Sequence, residues 1–373
     1  MNTLSYWEKS FYNNYDLIIV GSGIVGLSSA IFIKAKNPSW KILILERGIM
    51  PYGASTKNAG FACFGSISEM SSDLEKHKEK DLVELVRSRI EGLELLKSLV
   101  DPDIMELQNH GGYEIFLQGD HSVYTKYKQD IAYYNEICYK ASGRNNTFVS
   151  MDLPFNFAAY KKCFYNQYES QLHPAKMIYT LTKKAISEGI HIAYGKELLD
   201  YTEQNNKVSL CLADGSIING NRLLLATNAF TKKIIKEIDV IPQRNQVLIT
   251  EEIPSLAWKG TFHHNEGYVY FRNVQNRILI GGFRNEEKEE EQTDMFGLTE
   301  SIQRHLEKFL YNILKVDDKV KVDSRWSGII ATGLNKKPIT ERISDQVYCA
   351  VRLGGMGIAI GAKTGKDISE IIV

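Results

Sequence analysis

The amino-acid sequence predicts an α/β protein of two domains. One carries a parallel sheet that binds a dinucleotide; the other, inserted into it, is α+β and built on an antiparallel sheet. Three observations lead there. Residues Asp16 to Glu46 read as strand, glycine loop, helix, strand and acid. A second strand–glycine–helix stretch, Val347 to Ile358, stands near the far end of the chain. Between them lie two blocks, 73–164 and 239–325, with amphipathic helices and strands but no cofactor signature. The sequence therefore assigns 1–72, 165–238 and 326–373 to the cofactor domain and the two blocks to a substrate domain.

The first stretch opens with the short apolar run Leu17-Ile18-Ile19-Val20, a buried strand by composition. Gly21-Ser22-Gly23-Ile24-Val25-Gly26 follows as G-x-G-x-x-G, and Leu27, Ala30, Ile31 and Ile33 then recur at helical spacing. Gly21 permits the tight turn, Gly23 lets the backbone approach a pyrophosphate, and Gly26 lets helix pack on strand. The helix aims unpaired N–H groups and its positive dipole end at phosphate. The second strand, Ile42 to Leu45, ends in Glu46, 20 positions after Gly26, where a carboxylate takes the ribose hydroxyls. Together these make a Rossmann-like dinucleotide site, with Ser22, Ile24, Val25 and Arg47 as further candidate contacts.

The loop Gly53-Ala54-Ser55-Thr56-Lys57-Asn58-Ala59-Gly60-Phe61 suits a second surface of an extended cofactor. Ser55 and Thr56 can donate to phosphate oxygens, while Asn58, Ala59 and Gly60 let main chain lie against a flat ring. A long helix is expected from Asp73 to Val100, a strand at Tyr113–Leu117, a helix from His121 to Ala141 and a strand region at Phe157–Tyr165. After His173-Pro174 come a helix, the strand Ile190–Tyr194, and a meander beginning at Leu198. Arg222 to Ala229 reads as a buried strand that places Ala226 and Thr227 beside the first glycine loop. Strands at Val247–Thr250, Tyr268–Arg272 and Arg277–Gly282, a solvated acidic run at Glu286–Glu291 and a helix over Leu298–Leu314 complete the second block. Gly354, Gly355, Met356, Gly357 and Ile358 form the distant glycine turn. One dinucleotide does not need two such loops on its pyrophosphate; a flavin, whose ribityl chain and ring extend further, does.

The totals narrow the class. A chain of 373 residues, 43% apolar, buries a large core, and its zero formal net charge gives no footprint for nucleic acid. Five scattered cysteines without a C-x-x-C pair suit reduced thiols in a cytoplasmic protein and disfavour a zinc site. No apolar run is long enough to span a bilayer. The leader lacks a basic and apolar signal pattern, and Tyr6 and Trp7 are expected to pack on the domain surface.

With these pieces in place the chain resembles the FAD-dependent D-amino-acid oxidase-like family, which includes glycine oxidase, D-amino-acid dehydrogenase, sarcosine oxidase and γ-glutamylputrescine oxidase. The resemblance rests on GSGIVG with Glu46, ASTKNAG, LHPAKM, LLLATNAF, YVYFR…RILIGG and WSG…LGGMGIAIG, in that order. It implies extended FAD, a substrate-domain sheet over the flavin, and oxidation of an amine or amino acid, with oxygen or another acceptor taking the electrons. Arg272 stands where the family's Y-x-x-P-R segment carries its carboxylate-binding arginine, with Phe271 in place of proline. Tyr268 and Tyr270 are candidate pocket residues on the same strand. Leu279 replaces a lysine that favours reaction with oxygen in the sarcosine-oxidase branch, and Lys57 is the candidate substitute. Asn228 occupies a common glycine position, and no Cys or His stands where relatives attach flavin covalently, so FAD is expected to be noncovalent. Two alternatives stay open: oxidation of a hydroxy acid or polyol phosphate, for which His263 and His264 look loop-borne and exposed, and a flavin-binding subunit that needs a partner. Substrate identity and oligomeric state are not fixed by the sequence.

Overall fold

In the computed structural model, which describes residues 5–12 and 14–373, the first strand Leu17–Val20 sits near the middle of a six-stranded sheet. The order is Ile339–Arg342, Val347–Val351, Leu223–Leu225, Leu17–Val20, Ile42–Glu46, His191–Tyr194. All pairs are parallel except the edge strand Ile339–Arg342. Strands reading LIIV and ILILE are apolar throughout because both faces are covered. Leu17, Ile19, Ile42 and Ile44 face the helices Ile24–Lys36, Pro174–Ser187 and Gly357–Ile372. Their neighbours Ile18, Val20, Leu43 and Leu45 face the meander Leu198–Gln204, Lys207–Leu212, Ile217–Gly220.

The second sheet has eight strands, ordered Val322–Thr332, Ile241–Thr250, Arg277–Gly282, Val269–Val274, Thr261–His264, Gly112–Ile115, Lys162–Asn166, Phe148–Asp152. It is antiparallel except where Thr261–His264 meets Gly112–Ile115. Strand alternation sorts its residues between two faces. Val269 and Phe271 enter a core where Phe262 and Phe271 stack with centroids 4.5 Å apart. Tyr270 and Arg272, and likewise Thr261 and His263, therefore turn to the opposite face, toward the first sheet.

Several expected elements differ. The helix expected over 73–100 is two, Ile67–Leu74 and Glu79–Leu99, and the one over 121–141 breaks at Asp130. Helix Glu79–Leu99 packs on both sides: Leu85, Leu93 and Leu96 join the core of the parallel sheet, where a Cβ on Gly92 would sit 2.0 Å from Ala359 O, and Leu82, Val86 and Ile90 join Phe116 and Phe164. The expected boundary at 326 falls inside the strand Val322–Thr332. Phe157 packs as a core ring outside any strand, and only Lys162–Asn166 of that region is extended. Of the residues 222–229 only Leu223–Leu225 is strand. The loop after Glu46 holds a helical turn, Ala54–Lys57, and a short strand, Phe61–Ala62, paired with Ser170–Gln171. Glu291 ends the acidic run buried, bidentate with Arg244 at 2.8 and 3.1 Å, instead of solvated. Tyr6 and Trp7 belong to a helix, Tyr6–Phe11, and stay 75% and 77% exposed instead of packing on the domain.

Candidate active site

A cavity of about 490 Å³ runs from the carboxyl ends of the parallel strands to the face of the eight-stranded sheet. At its first end Gly21 adopts φ 108°, and a Cβ there would meet Ala226 O at 2.7 Å. Gly26 stands back from the cavity; its Cβ would lie 1.9 Å from Gly21 O, so it serves the helix–strand contact. Glu46 is buried at the end of its strand. Its Oε2 accepts from Ser22 N (3.2 Å) and Ser22 Oγ (2.6 Å), and its Oε1 from Gly48 N (3.0 Å). Ser22 is fully buried and acts through Glu46 without lining the cavity. Arg47 lies over the Phe230 ring at 3.8 Å, and both border the cavity, as does Leu198.

Along the middle, Ser55 Oγ accepts from Ile24 N at 3.0 Å, tying the second loop to the first turn of the helix. Ile24 and Val25 border the cavity there. Thr56 does not: its hydroxyl donates to Pro51 O (3.0 Å) and Gly53 O (3.3 Å), which removes it as a phosphate donor. Asn58 is a latch. Its Nδ2 donates to Ala54 O and Ser55 O, and its Oδ1 accepts from Gly60 N, so Ala59 and Gly60 are held against the cavity. Asn228, at φ 49°, accepts from Arg352 N (3.1 Å), joining the end of Leu223–Leu225 to the distant glycine turn. Ala226, Thr227 and the residues Gly354 to Ile358 border the cavity beside it. The two glycine turns, widely separated in sequence, thus line one channel. Helix N–H groups, a poised carboxylate and a channel continuing past them fit an extended FAD.

At the far end the wall belongs to the eight-stranded sheet. Tyr268, Tyr270, His263 and Arg284 border it. Burial pushes the Tyr270 hydroxyl up to about 12, so this ring is neutral, and it packs edge-on to Phe61 at 5.6 Å. Arg284 lies over the Tyr268 ring at 4.6 Å. Its Nε donates to Gln243 Oε1 (3.1 Å) and its Nη1 to Asn245 Oδ1 (3.4 Å), both neutral acceptors. Among the described residues no carboxylate forms an ion pair with it. Arg272, the expected anchor, is 6% exposed with its Nε unpartnered, and burial draws its guanidinium down to about 10. It stands behind Gly60 and does not border the cavity.

Lys57 borders the cavity with its ammonium over the Tyr52 ring at 4.2 Å. Leu279 is buried with Ala59 and Val247 in an apolar patch beside Phe61 and Tyr270. His263 and His264 are not in an exposed loop. They lie on strand Thr261–His264, where His263 is 9% exposed and its Nε2 meets Glu169 Oε2 at 2.9 Å. Cys63 joins them: the donor atoms of Cys63, Glu169 and His263 all lie within 4.8 Å of one another. Lys336, at the cavity mouth, pairs with Glu69 (2.9 Å) and Asp73 (2.7 Å). Sequence reading missed Arg284, His263, Cys63 and Lys336. For His263 the signal was present, since Thr261-Phe262-His263 alternates polar and apolar as a strand does.

The geometry can be set beside known proteins. A probable oxidoreductase OrdL of Haemophilus influenzae is 22% identical over 376 residues, covering 96% of this chain and 83% of that protein. L-proline dehydrogenase from P. horikoshii superposes with a TM-score of 0.77 at 17% identity, over 97% of this chain and 94% of that one. Glycine oxidase from Geobacillus kaustophilus gives 0.75 at 16% identity, over 96% and 95%. The family described as FAD dependent oxidoreductase matches residues 16–371. That match takes in both glycine turns and both sheets, and the chain belongs to the FAD-dependent oxidoreductase (DAO) family.

Proposed function

We propose that this FAD-dependent oxidoreductase oxidises the C–N bond of a small amino acid, with Arg284 holding the substrate carboxylate. The observation that carries the reading is a half-buried guanidinium on the cavity wall, held only by neutral acceptors and without a carboxylate partner among the described residues. An unpaired buried charge is costly, and an incoming carboxylate that pairs with it offsets that cost. A planar fork also fixes orientation, which matters more here than acid–base chemistry.

FAD, when bound, accepts a hydride with its electron pair. The substrate enters with a neutral amine; as the C–H bond breaks, the nitrogen lone pair forms the C=N bond and an iminium leaves. No strong general base is required. The chain's own work is to hold and to dry. Arg284 grips the carboxylate, Tyr268 backs that guanidinium, and Tyr270 with the patch of Ala59, Val247, Leu279 and Phe61 keeps water from the reacting carbon. The names of the proline dehydrogenase and glycine oxidase relatives are in keeping with an amino-acid substrate. FAD is held noncovalently in this reading, so acid precipitation leaves a yellow supernatant. Dioxygen or another acceptor then reoxidises it. The protein acts in the cytoplasm in this reading; among the described residues no helix is long and apolar enough to cross a membrane.

The hydroxy-acid alternative gains a histidine in the wall, but His263 is held protonated by Glu169 and is no base. Anaerobic addition of amino acids, their decarboxylated amines and 2-hydroxy acids to the yellow protein tests the choice. Bleaching by amino acids alone is expected. Bleaching by 2-hydroxy acids and by no amine would refute it.

A further inference from the structure

The surroundings of His263 favour its protonated form, whereas His110, His191 and His264 are pushed down chiefly by burial. Burial acts against a charge on His263 as well, yet the Glu169 carboxylate and the Cys63 contact hold it well above its ordinary value. Glu169 is itself fixed. Its Oε2 also accepts from Thr261 Oγ1 at 2.9 Å, and a Cβ on Gly112 would lie 2.0 Å from that oxygen. His263 and Cys63 border the cavity while Glu169 lies behind them, so the imidazole stands between the carboxylate and the channel. The 2.9 Å His–Glu separation is a hydrogen bond.

Other titratable and charged groups face this ring. Glu114, its register partner in the neighbouring strand, is the second acid: burial raises its carboxyl, which accepts from Ser68 N (3.1 Å) and Ile67 N (3.0 Å). Burial likewise raises the Cys63 thiol. Phe61 packs edge-on to the ring at 5.3 Å, and Tyr270 is its register partner. Arg272, on the same face of the next strand, is a fixed cation, and Glu69, the more distant acid, is neutralised by Arg89 and Lys336.

We propose that His263, held as an imidazolium by Glu169, is a charge-setting residue of the redox cavity, raising the midpoint potential of the bound FAD. A hydride brings two electrons and one proton, so one negative charge appears in the cavity on reduction, whatever the substrate. A cation already in place in a low-dielectric wall stabilises that charge without reorganising. His263 then does, from the opposite strand, what a lysine at Leu279 would do. Since its protonation is favoured by folding, the charge is fully present below pH 6.5 and is lost only as pH rises through the raised folded value.

Two measurements test this. Dye-equilibration titration at pH 7 of wild type, His263→Gln and Glu169→Gln is expected to show a tenfold or larger loss in the reduction equilibrium of both variants. That loss is about 30 mV for a two-electron couple. An unchanged potential in variants that retain FAD overturns the proposal. Should the variants fail to fold, histidine-selective NMR titration of the wild-type holoprotein decides. One of the eight histidine signals is expected to keep both ring protons at a pH where the others have lost theirs, and none doing so overturns the proposal.

Discussion

The two ends of the cavity are built on opposite principles. At the Glu46 end the recognition groups are satisfied before any ligand arrives: the carboxylate has Ser22 and Gly48, the helix N–H of Ile24 has Ser55, and the glycines leave no room for a side chain. At the sheet end two guanidinium groups, Arg272 buried and Arg284 half-buried, have no carboxylate partner among the described residues. A nucleotide that never changes can be met by a rigid, pre-paired mould. In the reading proposed above, a substrate that must bind, react and leave is met by charge held in reserve. The first arrangement fixes position; the second holds stabilisation that only the correct ligand releases.

Gly26→Ala should have the largest effect. Its Cβ has no space against Gly21 O, and the cost, about 3 kcal/mol or more, should appear as loss of bound FAD and a lower Tm. Arg284→Gln should next raise KM for carboxylate substrates about a hundredfold, roughly 2–5 kcal/mol for a stranded charge partner, with FAD content unchanged. Arg272→Gln is the control. If it, and not Arg284→Gln, removes carboxylate selectivity, the reserve lies behind Gly60 and the comparison must be redrawn. Glu46→Gln should weaken FAD about tenfold, the worth of a charge-assisted hydrogen bond, without moving substrate KM once saturated with FAD.

The smallest effect concerns the mouth. Burial alone would raise the Glu69 carboxyl, but Arg89 and Lys336 hold it far below the ordinary 4.5. A carboxylate so depressed stabilises the fold in full above pH 4.5, and that contribution falls away as pH drops toward the folded value. Lys336→Met should therefore lose less stability than wild type between pH 4.5 and 3, read as a shallower fall of urea midpoint.

The same contrast governs what the sequence could disclose. The places of Gly21, Gly26 and Glu46 at the strand ends were legible because a tight turn and a close helix–strand contact each demand glycine at a set spacing, with the acid closing the next strand. The parallel strands were legible because burial on two faces forces unbroken apolar runs. Arg284 was not, because nothing local distinguishes an arginine after a strand from a surface ion pair; only its missing partner does. The role of Glu169 depends on register between Thr261–His264 and Gly112–Ile115, a long-range pairing without a sequence signature. Thr56 failed for the reverse reason: a hydroxyl beside Ser55 looks available until its turn is drawn.

The strand Val322–Thr332 pairs with Ile241–Thr250 from Ile241–Thr332 to Thr250–Val322, and its end receives Gly354 N at 3.0 Å through Ala331 O. That ladder stiffens one edge of the eight-stranded sheet, and the Gly354 bond ties this edge to the glycine turn of the parallel sheet, so a swing of one sheet against the other would have to break it. The stretch 333–336 borders the cavity beside it, and any movement that carries Lys336 away must break its pairs with Glu69 and Asp73.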